Sequence, residues 1–491
     1  MTSPPLLSRR HLLSRMGQGL GGMAFASMLR AESSDAAAMA SAPAPGSPFS
    51  ALPGLPHFAP KAKRVIFLFM SGGPSHVDSF DNKPFLLKHQ GDSLPDSYRK
   101  GAQKLPGMSG SQTLFQLKGS SYPFKQYGQS GAWVSDAFPH TAKVVDGLCF
   151  IKSMHSESVN HDPAITFIQT GSPLAGRPSA GSWVQYGLGR DNQNLPAFIV
   201  MISRRSVDQP LSAKLWGSGF LPTQYEGVQF RASKDPVLYL SDPAGVSKDT
   251  TRRVLDGLRE LQAAQPQDQA VAATASALDA RWAEYEMAFR MQTSIPEVTD
   301  LSGEPAHVFD LYGEDSRQPG TFAANCIQAR RLAERGVKFI QLFHPGWDLH
   351  SNMERGFPIL AKEVDQACAA LVTDLKQRDM LKDTLVVWGG EFGRTCYLQG
   401  RIGKMGQGGR DHHPNYFTFW MAGGGVRPGV TYGETDELGY TIVRDGVHVH
   451  DFHATMLHLM GIDHERFTYR FQGRDFRLTD VSGNVVQGLL A

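Results

Sequence analysis

The chain has 491 residues, 41% of them hydrophobic and 20% charged, with a formal net charge of +2. This is the composition of a globular chain with a large core, and the near balance of charge argues against a nucleic-acid partner or an anionic membrane surface. Four cysteines, Cys149, Cys326, Cys368 and Cys396, show no CxxC spacing, which argues against a zinc knuckle.

At the amino terminus, Ser8-Arg9-Arg10-His11-Leu12-Leu13 precedes a weakly apolar, glycine-rich run and an alanine-rich exit at residues 36–42. That order reads as a twin-arginine signal peptide over residues 1–40, which predicts export of the folded protein by the twin-arginine machinery to the periplasm or beyond. The apolar run is too short and too rich in glycine for a stable membrane span. A Pro/Ala/Ser linker over residues 41–60 follows. The remainder, residues 61–491, reads as one large domain with an insertion around residues 205–315.

Within that domain, strands alternate with helices. Residues 64–70 form a continuous apolar run ended by Ser71-Gly72-Gly73-Pro74, the pattern of a central strand entering a tight turn. Residues 148–151 and 197–202 read the same way. Helical character lies between them at residues 164–170, stopped by Gly171-Ser172-Pro173. A long helical region over residues 249–291 reads as a packing helix pair. The helix at 323–335 leads into a strand at 337–343, and the helix at 361–376 into a strand at 384–388. A last strand spans residues 416–421, and Asp451 is expected to cap a helix ending near Met460. This alternation predicts an α/β fold, a mostly parallel central sheet with helices on both faces. Ligands of such sheets bind beyond the carboxyl ends of the strands.

That edge is where the acidic and imidazole residues fall. His344-Pro-Gly-Trp-Asp348-Leu-His350 follows one strand, Glu391-Phe-Gly-Arg394 follows another, and Ser75-His76-Val-Asp78 follows the first. Arg410-Asp411-His412-His413 precedes the last strand, which leaves its edge open. Carboxylates and imidazoles held on rigid elements bind divalent cations. The metal-site candidates are Asp78, His76, Asp348, His350, Glu391, His412 and His413, with Asp348, His350, Glu391 and His412 foremost. The ion is zinc, calcium, magnesium or manganese, left open at this point.

The leader, the stretch from Val65 to Asp81, Gly181-Ser-Trp-Val-Gln-Tyr-Gly-Leu-Gly189, Gly389-Gly-Glu-Phe-Gly-Arg-Thr395 and Asp451-Phe-His-Ala-Thr-Met-Leu-His-Leu-Met-Gly461 follow one another in the chain. In that order they resemble the exported, sulfatase-like domain-of-unknown-function family 1501, within the alkaline phosphatase and sulfatase superfamily. The resemblance implies a three-layer αβα sandwich and a metal-dependent hydrolase of phosphate esters, or less readily sulfate esters. Its substrate would be a small-molecule or polysaccharide-linked anionic ester.

The chain also departs from the superfamily pattern. Thr170-Gly171 closes the helix that should begin with a hydroxyl or cysteine-derived nucleophile, and His161 stands in that place, flanked by Asn160 and Asp162. An imidazole there attacks phosphorus directly or coordinates a metal. The Cys/Ser-x-Pro-x-Arg precursor of sulfatases is absent, and Ser71-Gly72 stands where a metal-binding Asp is often found. His161 and Arg394 are the expected catalytic residues, and Asn160 and Arg177 the expected substrate-binding ones. The alternative is a non-catalytic exported protein that binds an anionic or carbohydrate ligand on the same fold.

Overall fold

The computed structural model describes residues 50–99, 109, 112–203, 209–233, 235–238, 240–242, 245–263, 272–399 and 408–491. The signal-peptide reading therefore lies outside the described residues.

A nine-stranded sheet forms the middle layer. Its strands are β1 (Arg64–Phe69), β2 (Leu148–His155), β3 (Phe198–Ile202), β4 (Val228–Phe230), β5 (Phe339–Phe343), β6 (Thr384–Gly389), β7 (Phe417–Ala422), β8 (Val430–Tyr432) and β9 (Val447–His448). They run in the order β8-β2-β7-β6-β1-β5-β3-β4, with β9 also paired to β2. Every pairing is parallel except those of β7 with β2 and with β6.

Helices cover both faces: α1 (His161–Thr170), α2 (Ala180–Leu188), α3 (Lys248–Ala263), α4 (Ala272–Thr299), α5 (Phe322–Glu334), α6 (Met353–Gln377) and α7 (Val449–Leu459). The pleat of β1 explains the layering, because successive side chains leave a strand on opposite sides. Val65, Phe67 and Phe69 join a core with Ile165, Trp183 and Phe452 from α1, α2 and α7. Ile66 and Leu68 join the opposite core with Ile327, Phe357 and Leu371 from α5 and α6. A strand buried on both faces must be apolar throughout, which is the pattern read from residues 64–70. Each such fully buried aliphatic or aromatic side chain contributes about 1.5–3 kcal/mol.

The predicted α/β sandwich is the observed one, with differences at the element ends. The strand read at 148–151 runs on to His155, and α1 begins at His161. The last long helix before β6 begins at Met353 rather than at 361 and runs through Pro358, which removes one bond from its ladder. The long helical region is two helices, α3 and α4, joined by a fork from Arg252 to Glu286 at 2.6 and 3.0 Å. Residues 50–60, read as part of a linker, dock on the domain instead. Leu52 and Leu55 pack against the core, Leu52 N–H donates to Gly187 O at 2.9 Å, and His57 N–H donates to Gly461 O at 2.8 Å. The four cysteines are buried and unpaired. Among the described residues, no helix is long and apolar enough to cross a membrane.

Candidate metal centre

The carboxyl edge of the sheet gathers the site from four strands. β2 leads to His161 at the first position of α1, β5 to Asp348 and His350, and β6 to Glu391 and Arg394. The segment before β7 reaches the same edge because β7 runs antiparallel, so its amino end lies where its neighbours' carboxyl ends do. A two-residue ribbon then pairs Gly393–Arg394 with His412–His413, setting His412 opposite Arg394.

Asp348 is the centre. His350 Nε2 lies 2.9 Å and His412 Nε2 3.3 Å from its Oδ1, and His161 Nε2 lies 3.1 Å from its Oδ2. Behind each ring, Nδ1 meets an acceptor. His161 Nδ1 is 2.6 Å from Glu391 Oε1, His350 Nδ1 is 2.5 Å from Gln399 Oε1, and His412 Nδ1 is 2.7 Å from the Val159 carbonyl. An acceptor at Nδ1 holds the proton there and leaves the Nε2 lone pair facing the other way, the usual arrangement behind a metal-bound histidine. All three Nε2 atoms then face one carboxylate.

The donors of His161, Asp348, His350 and His412 lie within 4.8 Å of one another. Ligands at about 2.0–2.1 Å around one tetrahedral ion stand about 3.3 Å apart, close to the three Nε2–carboxylate separations. His161 Nε2 gives a further sign. It is buried and off hydrogen-bond alignment despite its 3.1 Å approach to Asp348, as expected of a ligand atom aimed at a shared point rather than at its neighbour. The residues present fit a divalent cation.

Charge is balanced tightly here. Burial alone would lower the pKa of His161, but the carboxylates of Asp348 and Glu391 outweigh it and raise the group to about 9. Burial likewise opposes ionisation of Asp348, yet the close imidazoles of His161, His350 and His412 and the Arg394 charge hold its carboxyl far below the usual range. His412 is lowered by burial, against the pull of Asp348.

A family model described as "Protein of unknown function (DUF1501)" matches residues 62–490. The chain belongs to that family. No curated protein sequence matches this DUF1501 member. Among solved structures it is similar to a protein in the alkaline phosphatase superfamily from Vibrio parahaemolyticus, at 10% identity and a TM-score of 0.32, over 91% of this chain and 76% of that one. It is similar to the sulfatase PsFucS1 from Pseudoalteromonas sp., at 12% identity and a TM-score of 0.33, over 96% and 76%. A third is the alkaline phosphatase of the Antarctic bacterium TAB5, at 9% identity and a TM-score of 0.30, over 82% and 98%.

Of the residues expected at the site of this DUF1501 chain, the structure brings the ligand atoms of His161, Asp348, His350 and His412 together and leaves the others outside that group of four. Glu391 stands behind His161 rather than among the four donors. It is fully buried and accepts the Gly72 N–H at 2.9 and 3.1 Å. Asp78 accepts Arg410 Nε at 2.8 Å and Ser75 Oγ at 2.5 Å, a buried pair bracing the loop after β1. His76 packs its ring on Tyr416 with 4.0 Å between centroids, and its Nδ1 accepts the Arg394 N–H at 3.3 Å. His413 points away from His412, as neighbours on a strand must, and packs on Tyr440.

Arg394, expected as a catalytic residue, is 1% exposed and spends its fork on the carbonyls of Gly72, Gly73, Trp347 and Arg410 and on Asp348 Oδ1 at 2.6 Å. It ties three loops together and neutralises Asp348. Arg177 pairs with Asp480 at 3.6 Å and lies 4.6 Å over the Phe476 ring. Asn160 occupies the cap position of α1, its side chain making no cap bond. Asp162, beside it, pairs with Lys214. Sequence reasoning missed Gln399 and the Val159 carbonyl. Neither residue type marks a metal site, and no spacing rule points to a backbone oxygen.

Proposed function

We propose that the chain is an exported metal-dependent hydrolase of phosphate esters, with sulfate esters as the second choice. The observation that carries this reading is the convergence of three imidazole Nε2 atoms on the Asp348 carboxylate, each with its Nδ1 held by a separate acceptor. The imidazole-rich set suits a borderline ion such as zinc better than calcium or magnesium, which prefer oxygen. Bound there, such an ion would polarise an ester oxygen and lower the pKa of water. His161, His350, His412 and Asp348 would hold it, and Glu391 would hold the His161 proton at Nδ1.

Both ring nitrogens of His161 face carboxylates, so we assign it to metal holding, and water to the attack on the ester. Asn160, at the cap of α1, and Lys214, paired with Asp162 in its first turn, would meet the anionic head of the substrate. The same engagement of His161 favours the second reading, an exported binding protein without turnover. The export assignment rests on the Arg9-Arg10 leader.

The test is metal analysis of purified protein, with a screen of aryl phosphate, phosphodiester and sulfate esters on wild type, His161→Ala and Glu391→Ala. Stoichiometric metal and phosphatase activity that falls in both variants support the hydrolase. Bound metal without turnover of any ester selects the binding protein, and activity indifferent to both substitutions sinks the site.

A further inference from the structure

A second group of reactive side chains lies at the same edge of the sheet but apart from the four metal donors. Ser203 follows β3, His344 follows β5, and Glu363 stands on α6. Ser203 Oγ is 2.8 Å from His344 Nδ1, and His344 Nε2 is 3.1 Å from Glu363 Oε2. Adjacent parallel strands set the first contact, since Ser203 N–H also donates to Phe343 O at 3.0 Å and fixes the hydroxyl beside the imidazole. His344 is 2% exposed and packs its ring on Phe322 at 5.2 Å and Trp347 at 6.4 Å. Ser203 is half-buried, and the Glu363 side chain is 33% exposed.

We propose that Ser203, His344 and Glu363 form a second, metal-independent site that cleaves carboxylic esters. A hydroxyl in hydrogen-bond contact with an imidazole that faces a carboxylate is the arrangement that activates serine on unrelated folds, and it is recognised by geometry rather than chain order. The Glu363 contact is close but not aligned as a hydrogen bond, as is common before substrate closes a site. The Trp347 ring that packs on His344 carries a buried indole N–H with no hydrogen bond among the described residues.

In the reaction, Ser203 Oγ bonds to the ester carbonyl carbon as its proton passes to His344 Nδ1. The C–O bond to the alcohol breaks, and the alcohol leaves with that proton. Water then attacks the acyl carbon, gives a proton to His344, and the Oγ–acyl bond breaks to release the acid and restore the hydroxyl. Ser203 and His344 are the catalytic residues, and Glu363 a positioning residue. Ser203 Oγ also lies 3.1 Å from the Phe343 carbonyl, the partner it would keep in a purely structural role.

The test uses full-length protein in excess EDTA with a fluorophosphonate probe, which forms an Oγ–P bond with loss of fluoride. The adduct is located by mass spectrometry, and chelation keeps the outcome separate from the metal-ester reading. One adduct on Ser203 is expected, absent from Ser203→Ala protein whose circular dichroism and melting match wild type. His344→Asn should slow labelling about 100-fold or more. Glu363→Gln should slow it and shift its pH midpoint downward, which loss of a structural brace would not do. No adduct, or one that persists in Ser203→Ala, overturns the proposal.

Discussion

Asp348 carries three imidazoles and a guanidinium because its two oxygens sit where four loops end, and the ordering of each loop rests on a neighbour. Gly72 shows how tight that ordering is. Its φ is +117°, and a Cβ there would lie 2.5 Å from Asp348 N and 2.7 Å from Trp347 N. Gly72→Ala should therefore cost about 3 kcal/mol, read from urea unfolding, and weaken metal binding as well. Replacing Glu391 by Gln removes the charge behind His161 while keeping its shape. Metal affinity should fall about 10–100-fold by chelator competition, and unchanged affinity would refute the positioning role.

Protons compete with the ion at the same atoms. His161, raised to about 9, holds a proton at neutral pH that an incoming cation would have to displace. Apparent metal affinity should therefore rise with pH through 7 and 8, by up to about tenfold per unit for one released proton, and level off near 9. Isothermal titration in two buffers of different ionisation enthalpy checks the proton count. At this scale residue type and position beside strands supplied Asp348, His350 and His412, while His161 came from the superfamily resemblance, as a nucleophile or a metal ligand. The sequence misplaced Glu391, Asp78, His76 and His413 because spacing shows which loop a side chain occupies, not which way it points.

At the scale of elements, directions and ends decide the chemistry. His412 reaches the site only because β7 runs against its neighbours, and an apolar strand pattern carries no sign of direction. The start of α7 makes the same point. Asp451 was expected as its cap, but His448 caps it, accepting from His450 N–H at 3.2 Å. Asp451 reaches back to the His448 N–H at 3.0 Å and takes the Asn484 N–H at 2.7 Å. An acid three residues into a helix often closes such a reciprocal box. Asp451→Ala should cost about 1–2 kcal/mol in denaturant unfolding and leave metal binding intact, since the polar contacts of α7 with α1 lie at the Ile168 and Gly171 carbonyls, the end opposite His161. His453, on the same helix, bonds its Nε2 to the Ile168 carbonyl at 2.8 Å.

Over the whole molecule, buried neutral histidines set the acid limit. Burial drives His453 down to about 3 and His413 to about 4, and lowers His76 well below its ordinary value. Because these folded values lie below the unfolded value of about 6.5, the unfolded chain takes up protons first as pH falls. Stability is unaffected above that value and lost below it, by about 1.4 kcal/mol per group for each unit. Metal-free protein should thus be weaker by about 3 kcal/mol or more at pH 5.5 than at pH 6.5 in urea. His161 does not offset this, because a raised group contributes fully below its unfolded value and loses that contribution only as pH climbs toward 9.

The sequence by itself determined the sandwich and the edge on which its ligands gather. Both follow from local physics: a strand buried on two faces must be apolar at every position, and a helix must place its apolar residues at its own period. Tertiary structure alone decided which side chains share a point. The partners of Asp348 come from strands far apart in the chain, one of them running backwards, and the Val159 carbonyl and Gly72 N–H that order them belong to the backbone, which is the same in every residue.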